Sequence, residues 1–121
     1  MQHRAKLLVL PLVLAWPAAT LATPGHNSPQ ARATARGQAF ADAHCAQCHA
    51  IRANGSSPNP EAPPWDDIAN RPGVTADTFA TFLSDAHNYP AAMDFTVERG
   101  AIRDLAAYLL TLRKPGYRPT R

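Results

Sequence analysis

The sequence predicts an all-α fold with three main helices joined by long loops. Three stretches carry apolar residues at helical spacing, and no stretch shows the period-two alternation of a half-buried strand. Prolines and glycines interrupt the chain between these stretches, where loops are expected. At 121 residues the chain is long enough for one small domain.

The first predicted helix leads directly into Cys45. Its periodic residues, at i, i+3, i+4 and i+7, are Gly37, Phe40, Ala41 and His44. The chain from 52 to 64 holds four prolines and several small polar residues, so it is predicted as a loop. Trp65 to Ala69 is expected to form one helical turn after this loop.

The second main helix is predicted to begin after Thr75. This residue is a good N-cap, and Asp77 would lie in the first turn, where it suits the helix dipole. The apolar face of this helix is expected to consist of Phe79, Phe82, Leu83 and Ala86. Residues 88–94, around Pro90, are predicted as another loop.

The last predicted helix takes Thr96 as its N-cap, with Glu98 in the first turn, and runs to about Arg113. Its apolar positions repeat at helical spacing. They are Ala101, Leu105, Tyr108, Leu109 and Leu112. Pro115 and Gly116 are expected to stop it.

The N-terminus has the pattern of a secretory signal peptide. A short basic start is followed by eight apolar residues, 7–14, and by small residues up to Ala22. The predicted division of the chain is therefore a signal peptide at 1–22, a flexible leader at 23–34, a globular domain at 35–114 and a C-terminal tail at 115–121. Export to the periplasm follows from this pattern.

Composition excludes several classes of protein. The chain has 12 Lys and Arg against 9 Asp and Glu, but without Arg4 and Lys6 of the signal the count is 10 against 9. The remaining basic residues are scattered, whereas a nucleic-acid binder concentrates them on one face. Two cysteines are too few for a disulfide scaffold. No apolar run reaches about 18 residues, so no stable membrane span is expected.

The residues Cys45-Ala46-Gln47-Cys48-His49 form the Cys-x-x-Cys-His attachment motif of c-type haem. Two thiols three residues apart on a helical turn can both add to the vinyl groups of haem, and the following histidine then supplies a neutral imidazole to the iron. A bound haem would also fill the centre of a domain that has few large apolar side chains. Three alternatives are a thioredoxin-like redox pair, a zinc site and a structural disulfide.

The sixth iron ligand is predicted to be Met93. It is the methionine that remains once Met1 is removed, and it precedes the last helix in a loop that can fold over the other haem face. His87 is the second candidate. His44 is expected to face away from the haem, and His26 lies in the leader.

From Arg36 to Leu112 the chain resembles the class I monohaem cytochromes c. Gly37 stands where the family's first helix has the glycine that allows close crossing by the last helix, and Phe40 matches the aromatic beside it. Cys45, Cys48 and His49 match the haem-binding motif. The run Asp104-Leu-Ala-Ala-Tyr-Leu109 is similar to the family's last helix.

The resemblance implies roles for further residues. The carbonyl of Pro63 or Pro64 would accept a hydrogen bond from His49, Trp65 would line the propionate edge, and Arg71 would pair with a haem propionate. The side chains implied to pack on the ring are Phe79, Phe82, Leu83, Phe95, Leu105 and Leu109. One departure is that Met93 is followed by Asp94, where many members have proline.

The function implied is one-electron transfer by an electron carrier with one covalent haem c, whose iron is held by His49 and Met93. Its partners would be exported or membrane-bound redox proteins such as a dehydrogenase, a cytochrome complex or an oxidase. Two alternatives stay open. One is a haem ligand sensor or weak peroxidase with an open sixth position, and the other is a dedicated cytochrome subunit of a periplasmic dehydrogenase.

Overall fold

A computed structural model describes residues 28–85 and 96–119. These residues form four helices: α1 (Pro29–His44), α2 (Trp65–Ala69), α3 (Ala76–Ser84) and α4 (Arg99–Leu110). The described residues contain no β-strand, and the predicted all-α fold is confirmed. Within the same ranges no helix has both the length and the apolar character needed to cross a membrane.

Helix α1 begins earlier than the sequence predicts. Ser28 is its N-cap and accepts a hydrogen bond from the Ala31 amide at 3.0 Å, while Pro29 occupies the first helical position. A proline there loses no hydrogen bond, because the first amides of a helix have no intrahelical partner. The expectation of a flexible leader through residue 34 is therefore wrong for residues 29–34, which are helical.

Helices α1 and α4 cross at Gly37. A β-carbon at this position would overlap the backbone carbonyl of Asp104, so only glycine permits the observed approach. Beside the crossing, Arg36 makes a two-pronged ion pair with Asp104, at 2.6 and 2.8 Å. The close crossing that the family resemblance implied for Gly37 is present.

The ends of the later helices follow the sequence only in part. Thr75 caps α3 as predicted, because its hydroxyl accepts from the Thr78 amide and its own amide donates to the Thr78 hydroxyl. Helix α4 departs from the prediction at its start. Its N-cap is Glu98 and not Thr96, and no side chain caps it. It also ends at Leu110, three residues before the predicted Arg113.

The core lies where α4 meets the other three helices. Leu105 and Leu109 are 1% and 0% exposed, and they pack with Ala41 of α1. The Tyr108 hydroxyl donates to the carbonyl of Ile51 at 3.0 Å, which ties α4 to the chain just after α1. The Tyr108 ring lies 6.0 Å from that of Trp65, and this aromatic pair joins the core to the wall of the main cavity.

Candidate haem site

The attachment turn continues directly from the C-terminal end of α1. Cys45 caps that helix by donating its amide to the Ala41 carbonyl at 2.9 Å. The amides of Cys48 and His49 both donate to the Cys45 carbonyl, at 3.2 and 2.9 Å. This tight turn places the two thiols and the imidazole against one cavity.

That cavity has a volume of about 630 Å³ and a mainly apolar lining. Helix α3 and the segment 63–74 supply the lining residues that lie outside the attachment turn. The lining residues are His44, Cys45, Cys48, His49, Pro63, Trp65, Ile68, Arg71, Pro72, Gly73, Val74, Thr78, Phe79, Phe82 and Leu83. A large, mostly apolar cavity with a few placed polar groups is typical of a cofactor site.

The imidazole of His49 is oriented by the proline-rich loop. Its Nδ1 atom lies 2.8 Å from the Pro63 carbonyl oxygen. Because a carbonyl can only accept, Nδ1 carries the proton, and the lone pair of Nε2 is left to bind a metal ion. Of the two prolines that the resemblance left open, the structure places Pro63 in this contact.

Backbone contacts hold the loop in register with the attachment turn. The Trp65 amide donates to the Ala50 carbonyl at 2.8 Å, and the Asn59 amide donates to the Cys48 carbonyl at 3.2 Å. The Ser57 hydroxyl accepts from the Ala50 amide at 3.0 Å. The chain on both sides of His49 is thus tied to the loop that supplies its hydrogen-bond acceptor.

Helices α2 and α3 supply the apolar wall. Trp65 is 4% exposed, lines the cavity, and packs edge to face on Phe79 with ring centroids 6.1 Å apart. Phe82 also lines the cavity, and it is the large apolar side chain with the greatest exposure, 41%, among the described residues. A flat apolar ligand against this wall would remove the exposed Phe82 side chain from water.

Burial affects the chemistry of the first thiol. Desolvation raises the pKa of Cys45 to about 11, so its thiol is neutral at pH 7. A thioredoxin-like pair depends on a thiolate with a lowered pKa, so the raised pKa of Cys45 does not favour a redox pair. Neither thiol is in a disulfide. The described residues also contain no group of three or more Asp, Glu, His or Cys side chains suited to a metal ion.

Arg71 lies exposed at the rim of the cavity. It also borders a second, open cavity of about 380 Å³, together with Arg113 and Lys114. Arg113 is engaged with the neighbouring loop, because its guanidinium donates to the carbonyls of Ala69 and Val74. Arg71 therefore adds a positive charge to the lining of the main cavity.

Some predicted positions differ in the structure. Leu105 and Leu109, implied to pack on the haem ring, lie in the helical core and do not line the cavity. His44 was expected to face away, but it stands at the cavity edge with its ring 4.4 Å from that of Phe40. Met93, its alternative His87, Phe95 and His26 lie outside the described residues.

Ile68, Val74 and Thr78 also line the cavity, and the sequence reasoning gave them no role there. The helical spacing of Thr78 with Phe82, at i and i+4, was a usable signal for Thr78. Ile68 lies in a five-residue helix and Val74 in an irregular segment. In such segments, residue spacing does not predict which way a side chain points.

This chain is similar to a known protein family and to a known protein. The family model described as cytochrome c matches residues 34–113. The chain is 32% identical over 69 residues to cytochrome c-552 from Bradyrhizobium diazoefficiens, a match that covers 57% of this chain and 64% of that protein. The chain thus spans less than two thirds of that relative. No solved structure matches.

Proposed function

This chain belongs to the cytochrome c family, which carries covalently attached haem c, and on that premise we propose that it transfers single electrons between redox proteins. The observation that carries the proposal is the convergence of Cys45, Cys48 and His49 on one apolar cavity. When bound there, the haem supplies an iron centre that changes its charge by one.

The residues present fit this group. Cys45 and Cys48 would hold it by thioether bonds, since both thiols are free and face the cavity. His49 would bind the iron through Nε2, because Nδ1 carries a proton that it donates to the Pro63 carbonyl. The hydrogen bond fixes the ring orientation and makes the imidazole a better donor. Arg71 would meet the propionates at the rim of the cavity.

The protein's part in electron transfer is to keep the surroundings of the iron constant. Trp65 and Phe79 are packed against each other and against the core, so they move little when the charge of the site changes. The wall they form excludes water, whose reorientation otherwise raises the barrier to electron transfer. Docking of a partner near the exposed edge at Phe82 would be transient and small in area.

We propose that Met93 would also hold the iron, through its thioether sulfur. A thioether there favours the reduced iron and raises the reduction potential above that of a site with two imidazoles. If His49 and Met93 both hold the iron, no position would be open to a substrate, and the protein would act as a carrier. The signal-peptide pattern at residues 1–22 supports a periplasmic location, where exported or membrane-bound redox proteins would be its partners.

A potentiometric titration of the full-length holoprotein tests the proposal. A one-electron carrier gives a fully reversible transition of about 59 mV per tenfold change in the ratio of the two forms. The holoprotein should also exchange electrons with an exported redox protein, and the apoprotein is the negative control. Hydrogen-peroxide turnover that outpaces electron exchange would favour the peroxidase alternative.

A further inference from the structure

The segment after α4 folds back onto α2 and the loop before it. The Lys114 amide donates to the side-chain oxygen of Asn70 at 2.8 Å. The Lys114 ammonium group donates to the side-chain oxygen of Asn54 at 2.9 Å. The Tyr117 hydroxyl donates to a carboxylate oxygen of Asp67 at 2.5 Å. We call residues 114–117 the C-terminal clamp; they lie beyond the residues that the family model matches.

Helix α2 needs support from outside itself. It has only five residues, and no side chain caps its N-terminus. A helix this short is not stable alone in water. It also buries two carboxylates, since Asp66 is 1% exposed and Asp67 is 7% exposed. Buried carboxylates require hydrogen-bond donors. Asp66 accepts from the Asn54 amide at 2.8 Å, and Asp67 accepts from the clamp.

The position of α2 determines two features of the cavity. Trp65 and Ile68 project from it into the cavity wall. Pro63, just before α2, provides the carbonyl that orients His49. A displacement of α2 would therefore change the packing of the wall and the hydrogen bond to His49 together.

We propose that Tyr117 is a positioning residue of the haem site. It does not line the cavity; it holds Asp67, and through Asp67 it fixes α2, the Trp65 wall and the Pro63 carbonyl. This role goes beyond the electron transfer proposed above. It assigns part of the control of the reduction potential to a segment outside the matched family region.

The test is Tyr117→Phe in the full-length holoprotein. The substitution keeps the ring and removes the donor to Asp67. We expect hydrogen exchange of the His49 ring N–H and of the Asn54 amide, measured by NMR in the reduced state, to become at least about tenfold faster. The reduction potential should fall, because water that reaches the Trp65 wall favours the more highly charged oxidised iron.

Ser28→Ala is the matched control. It also removes one hydrogen bond from the end of a helix, but α1 begins far along the chain from the cavity-lining His44. This variant should keep both the exchange rates and the potential of the wild type. Wild-type exchange and potential in Tyr117→Phe, or equal changes in Ser28→Ala, would overturn the proposal.

A double-mutant cycle separates positioning from general loosening. If Tyr117 acts through Asp67, Tyr117→Phe adds no further shift in potential to Asp67→Ala; additive shifts would contradict the proposed path. If Tyr117→Phe yields no holoprotein, Lys114→Met tests the clamp at its other contact, on Asn54. Faster exchange of the His49 ring proton in that variant supports a positioning role for the C-terminal clamp. An unchanged exchange rate contradicts that role.

Discussion

The Nδ1 atom of His49 lies 2.8 Å from the carbonyl oxygen of Pro63. The contact joins the attachment turn to the proline-rich loop across 14 residues of sequence. It fixes the proton on Nδ1, and so it determines that Nε2 is the atom available to iron. The orientation of the imidazole in the cavity therefore depends on the loop that carries Pro63.

Removing one thiol should leave a haem with a single thioether bond. In Cys48→Ala we expect the alkaline pyridine haemochrome band to move to the red of that of the wild type, because one vinyl group stays unsaturated. Gln47→Ala, a change within the same turn, is the control and should give the wild-type band. A band in Cys48→Ala identical to that of the wild type would contradict the assignment of Cys48.

Replacing the proposed sulfur ligand should change the iron more than any neighbouring substitution. We expect Met93→Ala to lower the reduction potential by on the order of 0.1 V and to open the iron to carbon monoxide. Potentiometry and flash photolysis measure the two effects. His87→Ala is the control and should change neither, whereas the reverse pattern would assign the sixth position to His87.

The crossing of α1 and α4 should not tolerate a β-carbon at Gly37. Because the obstacle is the backbone carbonyl of Asp104 and not a flexible side chain, Gly37→Ala should destabilise the fold by about 3 kcal/mol or more. Gly100→Ala is the matched control, since it lies in α4 with no heavy atom close to its added carbon. It should be neutral or stabilising by up to about 1 kcal/mol. Denaturant unfolding of both variants separates a steric clash at position 37 from the general effect of replacing a helical glycine by alanine.

Stability should decline in alkali through Tyr117. Partial burial and the hydrogen bond to Asp67 raise the pKa of its hydroxyl above the ordinary value. The folded state therefore retains this proton more strongly than the unfolded chain, in which the pKa is about 10. The stabilisation is complete below pH 10 and is lost as the pH rises above it.

Tyr117→Phe should accordingly show a shallower loss of unfolding free energy above pH 10 than the wild type. Burial also raises the pKa of Tyr108, so some alkaline loss should persist in the variant. Denaturant unfolding at a series of pH values measures the difference. If unfolding free energy falls equally steeply with pH in the two proteins, the pKa of Tyr117 does not differ between the folded and unfolded states.

Local signals in the sequence predicted the features that depend on neighbouring residues. The Thr75 cap, the helical turn at Trp65–Ala69 and the Cys-x-x-Cys-His turn all rest on contacts within a few positions, and the structure has each of them. The early start of α1 was also readable, because Ser28-Pro29 is a cap followed by a first-turn proline. The proline, glycine and polar residues before this pair favour a leader instead.

Features that depend on tertiary contact were not predictable in this way. The bond from Tyr117 to Asp67 spans 50 residues, and no periodicity connects a tail to a five-residue helix. Leu105 and Leu109 share a helical face, and helical spacing alone does not say whether that face packs on a haem or on α1. In the structure it packs on α1, because Gly37 lets the two helices approach closely.

The proposed function requires a haem iron that His49 and Met93 both hold and that binds no substrate. The most direct test is the optical spectrum of the full-length holoprotein, oxidised and then reduced under carbon monoxide. We expect a weak far-red band of sulfur ligation in the oxidised form and a reduced spectrum that carbon monoxide leaves unchanged. Absence of that band, together with rapid carbon monoxide binding, would contradict the proposed function and indicate an open iron suited to ligand sensing or peroxidase chemistry.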